Sequence, residues 1–176
     1  MGMGRWVAVL LAVLAQVRPA AAINHLIAIG EVLASWQGDD TVQFVELRML
    51  AAGQGGLSTG GGLRGSVDLV VDDATASVSG RRVFTFTSDV GRAESGASVL
   101  VGTSALTALT NVAPDFVLPA GMFSASGGRV CYRVNPPQDP NQTVGVIDCV
   151  AWGTFGGATG SYGPPPGMGT YDVISS

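Results

Sequence analysis

Few side chains in this sequence of 176 residues could take part in catalysis. Its only histidine, His25, would have to act as the base of any Ser-His-Asp triad, and the chain contains no Gly-x-Ser-x-Gly elbow to present a nucleophilic serine. One histidine and two cysteines are also too few ligands for the common zinc sites. We therefore predict no catalytic residues and no metal site.

Paired aspartates are the remaining source of metal ligands. Asp39 and Asp40, Asp72 and Asp73, and the single Asp115 could offer carboxylate oxygens to calcium. Their spacing fits no calcium-binding loop, so the favoured interpretation is that they are solvated turn residues. A metal-dependent extracellular hydrolase that uses these acidic clusters stays open as an alternative.

Two glutamates could form a second kind of site. Glu31 and Glu46 fall on neighbouring predicted strands, and a pair of carboxylates held ~5 to 10 Å apart in a cleft can serve as acid and base. The favoured interpretation is that each accepts hydrogen bonds from Arg48, from another arginine or from loop amides.

Four aromatic residues could offer a flat surface for stacking on sugar rings: Trp36, Tyr132, Trp152 and Tyr162. Tyr132 and Trp152 are better explained as core residues whose polar tips reach the surface. Trp36 lies in a polar turn beside two aspartates, so our candidate ligand surface is Trp36, Asp39 and Asp40.

Residues 60–65 match the dinucleotide-binding pattern G-x-G-x-x-G in their letters. That motif works only between a strand and a helix whose amino end receives the pyrophosphate. Here it lies in a glycine-dense loop with no helical pattern after it. We therefore predict no cofactor.

The first 22 residues predict a signal peptide. Arg5 supplies the positive charge, residues 6–15 form an apolar run, and residues 19–22 supply the small side chains of a cleavage site. The apolar run is shorter than the ~20 residues of a membrane span, although an uncleaved anchor is an alternative. We expect an exported chain, extracellular or in the cell envelope, with no membrane span once the leader is removed.

Export bears on the cysteines and on the possible partners. An even count in an oxidising compartment favours a Cys131–Cys149 disulfide, with two unpaired thiols as the alternative. The net charge is −4 and becomes more negative when Arg5 and Arg18 leave with the leader. An acidic chain has no electrostatic reason to bind nucleic acid or anionic lipid.

Alternation of apolar and polar residues is clearest in residues 42–49, where Val45, Leu47 and Met49 fall on one side of an extended chain. Residues 104–109 could form one or two helical turns. Seven further segments read as short strands: 25–33, 66–71, 82–87, 98–103, 116–119, 129–134 and 144–153. The pattern predicts an all-β fold, an immunoglobulin-like antiparallel β-sandwich of about eight short strands.

Three groups of residues, in this order and spacing, resemble the lamin-tail domain family. They are residues 29–32 with 44–47, residues 98–102 with 114–121, and residues 128–131 with 146–153. The likeness covers residues 23–162, which we take as one sandwich domain, followed by a Gly/Pro-rich tail at 163–176. The family usually adds a further closing strand, for which only residues 170–174 could serve here.

The resemblance implies an immunoglobulin-like sandwich that binds or scaffolds and has no family-wide catalytic centre. Bacterial exported members accompany surface proteins or extracellular hydrolases. We expect a secreted or cell-surface, non-catalytic module for protein or glycan partners. A structural fragment of a longer surface protein is a further alternative.

Overall fold

A computed structural model describes residues 24–58, 67–134 and 145–156, together with the backbone of Val173–Ile174. The predicted signal peptide, the glycine pattern at 60–65 and Tyr162 lie outside these residues. No helix in the described part of the chain is long and apolar enough to cross a membrane.

The described residues form two sheets. The first has the strand order β1-β2-β5-β6 and the second the order β4-β3-β7-β8-β9. A short helix, α1 (Ser104–Thr110), follows β5, and a single 3-10 turn, Val78–Gly80, precedes β4. The strands are β1 (Ile27–Leu33), β2 (Phe44–Met49), β3 (Val67–Asp73), β4 (Arg82–Thr85), β5 (Ser98–Gly102), β6 (Phe116–Val117), β7 (Gly127–Val134), β8 (Val146–Gly153) and β9 (Val173–Ile174).

The predicted all-β sandwich is confirmed. Neighbouring strands are antiparallel except in two pairs, β5–β6 and β8–β9, which are parallel. β9 lies in the segment that the sequence offered for a closing strand and pairs with Ala151 and Trp152 of β8. Residues of the stretch assigned to the tail therefore take part in the second sheet.

One core lies between the two sheets, and period-two alternation selects its residues. Val45, Leu47 and Met49 of β2 are buried, whereas Arg48 on the opposite side of the strand is exposed. Each fully buried aliphatic side chain contributes about 1.5 to 3 kcal/mol. The second sheet faces β2 with Leu69, Val71, Val130, Tyr132 and Trp152.

The two core aromatics differ at their polar ends. The indole N–H of Trp152 donates to the Ser124 carbonyl at 2.8 Å, as expected of a tip near the surface. The same expectation is wrong for Tyr132, which is fully buried and whose hydroxyl has no hydrogen-bond partner in the described part of the chain. Burial raises the pKa of Tyr132, and the nearby Asp68 carboxylate adds to that effect.

Candidate functional site

The turn between β1 and β2 holds all three residues of the predicted ligand surface. Trp36 and Asp39 face each other across it: the Trp36 N–H donates to the Asp39 carbonyl at 3.0 Å and the Asp39 N–H to the Trp36 carbonyl at 2.8 Å. Gln37 and Gly38 between them have φ of 51° and 84°, which defines a tight hairpin turn of the primed type. Trp36 stays 45% exposed on this turn.

Asp39 serves the turn itself. Its carboxylate accepts hydrogen bonds from the Thr41 N–H at 2.8 Å and from the Thr41 hydroxyl at 2.6 Å. These bonds stabilise the charged form and lower the pKa of Asp39 below its ordinary value of 3.8. The Asp39 carboxylate therefore stiffens the hairpin.

Asp40, the next residue, lines an open cleft of about 290 Å³ at this end of the sandwich. We call it the tip cleft. The β1–β2 turn, the β3–β4 connection and the loop that leads from β6 to β7 meet around it. Its lining consists of Asp40, Val71, Asp72, Asp73, Gly80, Arg82, Gly121, Met122, Phe123, Ser124 and Ala125.

The loop wall of the tip cleft is held by the buried side chain of Gln43. The Gln43 amide donates to the Phe123 carbonyl at 2.7 Å and accepts from the Phe123 N–H at 3.1 Å. The same amide nitrogen donates to the Ala34 carbonyl at 2.9 Å. One side chain thus replaces a missing strand neighbour for Phe123 and ties the loop to the β1–β2 hairpin.

Further anchors fix the rest of this loop. Besides the indole bond to Ser124, the Trp152 ring packs edge-on against Phe123 with the ring centroids 5.5 Å apart. Thr154 donates to the Ser126 carbonyl from both its N–H and its hydroxyl, each at 3.2 Å. These contacts within the protein hold the loop wall in place.

The opposite wall is organised by Asp73. One carboxylate oxygen accepts from the Thr75 N–H and hydroxyl, at 2.9 and 2.7 Å, and the pKa of Asp73 is lowered by the Thr75 hydroxyl bond although partial desolvation opposes it. The other oxygen lies against Gly80, where a Cβ would meet it at 1.9 Å. Only glycine fits at position 80 with Asp73 in this place.

Arg82 reaches the tip cleft because of its position on β4. Every second side chain of this segment, at 82, 84 and 86, lies on the inner side of the second sheet. There the rings of Phe84 and Phe86 pack edge to face with their centroids 5.3 Å apart. Arg82 is the first residue of this row, so it lies at the open end between the two sheets. Its guanidinium is exposed and has no partner in the described part of the chain.

Asp72 departs from the prediction. The sequence indicated a strand that stops at Val71 before two solvated aspartates, but β3 continues through Asp73 and Asp72 is 1% exposed. Its two oxygens pair with Arg81 Nε at 2.7 Å and with an Arg129 terminal nitrogen at 2.7 Å. The two guanidinium groups offset the desolvation cost of burying this carboxylate. The Phe155 ring covers Arg129, with its centroid 5.0 Å from the Arg129 Cζ.

The same outer face of the second sheet carries a second buried ion pair and the disulfide. Arg133 grips Asp68 with two bonds, of 2.9 and 2.6 Å, from neighbouring strands. Between the two ion-pair rows Cys131 and Cys149 lie directly opposite each other on β7 and β8 and form the predicted disulfide. Both cysteines are buried.

The predicted carboxylate pair lies elsewhere, on the exposed face of the first sheet. A bulge at Gly30 places Glu31 directly opposite Glu46. Glu46 accepts a bond from the Ser98 hydroxyl, and among the described residues neither glutamate forms an ion pair with Arg48. Neither glutamate lines the tip cleft.

Two of the acidic clusters meet at the tip cleft, through Asp40 and residues 72–73, but Asp115 lies apart from them. Asp115 pairs with Arg92 and accepts from the Leu100 N–H at 2.8 Å, away from the tip cleft. Over residues 24–58, 67–134 and 145–156, no three His, Cys, Asp or Glu side chains are grouped so that they could hold a metal ion.

The site contains residues that the sequence analysis missed, namely Arg82, Gln43 and the loop around Phe123. The alternation in residues 82–87 could have placed Arg82 on the phenylalanine side of its strand. No sequence signal marks Gln43, because a glutamine before a strand is ordinarily solvated.

Comparison with known proteins found no match, either to a family model or to a curated protein. The resemblance to the lamin-tail domain family therefore stays a prediction.

Proposed function

We propose that this chain is a secreted or cell-surface binding module of the lamin-tail type, that it works without catalysis, and that its partner, a protein or a glycan, binds at the tip cleft. The observation that carries the proposal is the cleft itself, with walls held by internal hydrogen bonds and two charged groups, Arg82 and Asp40, that no described residue of the protein engages. Polar groups left unengaged in a preformed concavity are typical of binding sites.

The rigidity of the site supports binding over a merely structural role. Gln43, Trp152 and Thr154 hold one wall, and Thr75 holds Asp73 in the other. A preformed site avoids the ordering cost that a flexible loop would pay on association. The exposed Trp36, which does not line the cleft but lies on the same tight turn as Asp40, adds an aromatic surface.

The competing hydrolase proposal finds less support in the site. The carboxylates of Asp39 and Asp73 are occupied by hydroxyl and amide donors of their own turns, and Asp72 is occupied by two arginines. A dedicated calcium cage needs six to eight oxygen ligands free to face the ion.

Binding of the purified chain to glycan arrays and to cell-surface protein extracts tests the proposal. Arg82→Ala removes one cleft group, and Arg48→Ala is its matched control because Arg48 is also an exposed strand arginine with no ion-pair partner in the described residues. We expect saturable binding that Arg82→Ala weakens and Arg48→Ala leaves unchanged. Absence of saturable binding to every surface and array would refute the proposal, and calorimetric titration with Ca²⁺, Mg²⁺, Mn²⁺ and Zn²⁺ would then test the hydrolase alternative.

A further inference from the structure

The chemistry of the tip cleft restricts what it can bind, and this step rests on the proposed function. Most polar groups in its lining are already engaged. Asp72 is held by Arg81 and Arg129, Asp73 by Thr75, and the Phe123 backbone by Gln43. A ligand gains little by competing for groups that have good internal partners.

The Ser124 hydroxyl in the lining is bonded to the Ser126 hydroxyl at 3.0 Å, which leaves two charged side chains to contact a ligand. The Arg82 guanidinium offers only donors and the Asp40 carboxylate offers only acceptors. They are not within ion-pair distance of each other, so a ligand can lie between them. The matching ligand accepts hydrogen bonds on one side and donates them on the other, as a ring with several hydroxyl groups does.

The charge of the lining argues against an anionic ligand. The Asp72 carboxylate lies on the outer face of the second sheet, paired with Arg81 and Arg129, so the charged side chains left to the cleft are Asp40, Asp73 and Arg82. Two of these are negative and one is positive. The cleft therefore has no positive excess to attract a phosphate or a polyanion.

The size and openness of the cleft fit a single sugar ring at the end of a longer chain. Its volume of about 290 Å³ is near the lower limit of ~300 Å³ for small-molecule sites. At Gly121 nothing lies within 4 Å of the place where a Cβ would stand, so the cleft is open on that side. A ligand held there can extend beyond the cleft.

Trp36 gives that extension a surface to lie on. The hairpin places Trp36 opposite Asp39, which is the residue before Asp40. A sugar ring has an apolar face, and an exposed indole on a stiff turn can cover such a face at low entropic cost.

We infer that the tip cleft binds the terminal ring of a neutral glycan through Arg82 and Asp40, and that Trp36 contacts the sugar next to it. A neutral glycan is favoured over a peptide carboxylate because the cleft has no positive excess, and a ring with several hydroxyl groups can bridge its two separated charged groups. The cleft would thus distinguish sugars by the positions of the hydroxyl groups on the terminal ring.

Titration by nuclear magnetic resonance and calorimetry tests this inference on the full chain. The probes are neutral mono- and oligosaccharides (glucose, galactose, mannose, N-acetylglucosamine and their short chains), glucuronic acid, a dipeptide and inorganic phosphate. At least one neutral sugar should bind with shifts confined to the cleft. Arg82→Ala and the isosteric Asp40→Asn should each weaken it ~10-fold or more, as loss of a charged hydrogen bond does.

Two control variants sharpen the test. Arg48→Ala should leave every affinity unchanged. Trp36→Ala should weaken oligosaccharides and leave the monosaccharide unchanged, which separates the second contact from the first. Amide spectra of each variant would show that it is folded.

The unfavourable outcomes separate the two proposals. If glycan binding is saturable but its affinity is unchanged in both Arg82→Ala and Asp40→Asn, this inference is overturned and the proposed binding function still holds. Tighter binding of glucuronic acid, the dipeptide or phosphate overturns the choice of a neutral glycan. If no sugar binds but a cell-surface protein does, the inference is wrong and the binding function holds; if nothing binds, both fail.

Discussion

The buried pair Asp68–Arg133 offers the sharpest test of how this sandwich is held together. Both side chains are almost fully buried, at 3% and 1% exposure, and two hydrogen bonds join them across β3 and β7. Arg133→Met keeps most of the volume and removes the cation, so the Asp68 carboxylate stays buried without its ion-pair partner. We expect the free energy of unfolding to fall by about 3 to 5 kcal/mol.

That loss is large enough to measure by heat. For a chain of this size each kcal/mol shifts the melting temperature by roughly 2 to 4 °C, so Arg133→Met should melt roughly 6 to 20 °C lower. The matched control is Arg92→Met, since Arg92 is 45% exposed in its pair with Asp115. An exposed pair contributes about 1 kcal/mol or less, so the control should shift by only a few degrees.

A double variant distinguishes the charge from the packing. Asp68→Leu with Arg133→Met removes both charges and should return the stability to within ~1 kcal/mol of the parent, or above it. The reasoning is refuted if Arg133→Met costs no more than Arg92→Met. It also fails if the double variant is as unstable as the single one, because the loss would then come from shape alone.

Three further predictions follow from individual contacts. Replacing Cys131 and Cys149 by alanine should lower the free energy of unfolding in urea by about 3 kcal/mol, for a separation of 18 residues, and an unchanged midpoint would contradict it. Gln43→Leu should lower the free energy of unfolding by about 2 kcal/mol or more, because the N–H and the carbonyl of Phe123 lose their partner. Amide hydrogen exchange in the loop wall of the tip cleft should become faster. Protection from exchange equal to that of the parent would count against this role of Gln43. The chemical shift of the Thr41 amide proton should follow the protonation of Asp39 with a midpoint below pH 3.8, because the bonds from Thr41 stabilise the charged carboxylate. The contribution of Asp39 to stability is complete above that pH and disappears as the pH falls through its lowered pKa. A midpoint at or above 3.8 would exclude the proposed hydrogen bonds.

The sandwich could be predicted because burial on one side of each strand leaves a period-two record in the sequence. Residues 42–49 show this, since the alternation of Val45, Leu47 and Met49 corresponds to their burial in β2. Residues 82–87 show it again, with Phe84 and Phe86 on one side. Such patterns are local, so they can be read without knowing which strands pair.

The interactions that were missed are long-range. Asp72 looks like a strand terminator because its partner Arg129 is 57 residues away, and a carboxylate without that partner would stay in water. Gln43 bonds across 80 residues to Phe123. Glu31 lies opposite Glu46 only because of the bulge at Gly30, and no pattern in the sequence predicts a bulge there.

The buried charges and the tip cleft are parts of one arrangement. Asp72 lines the cleft and is also the centre of the ion pairs with Arg81 and Arg129, so the groups that fix β3 against β7 also fix the cleft wall. A site keeps its affinity only if its walls hold their geometry without the ligand. Disrupting the ion pairs should therefore make the cleft wall less ordered even where the chain stays folded. Replacing Arg82 should remove one contact to the ligand and leave the shape of the cleft unchanged.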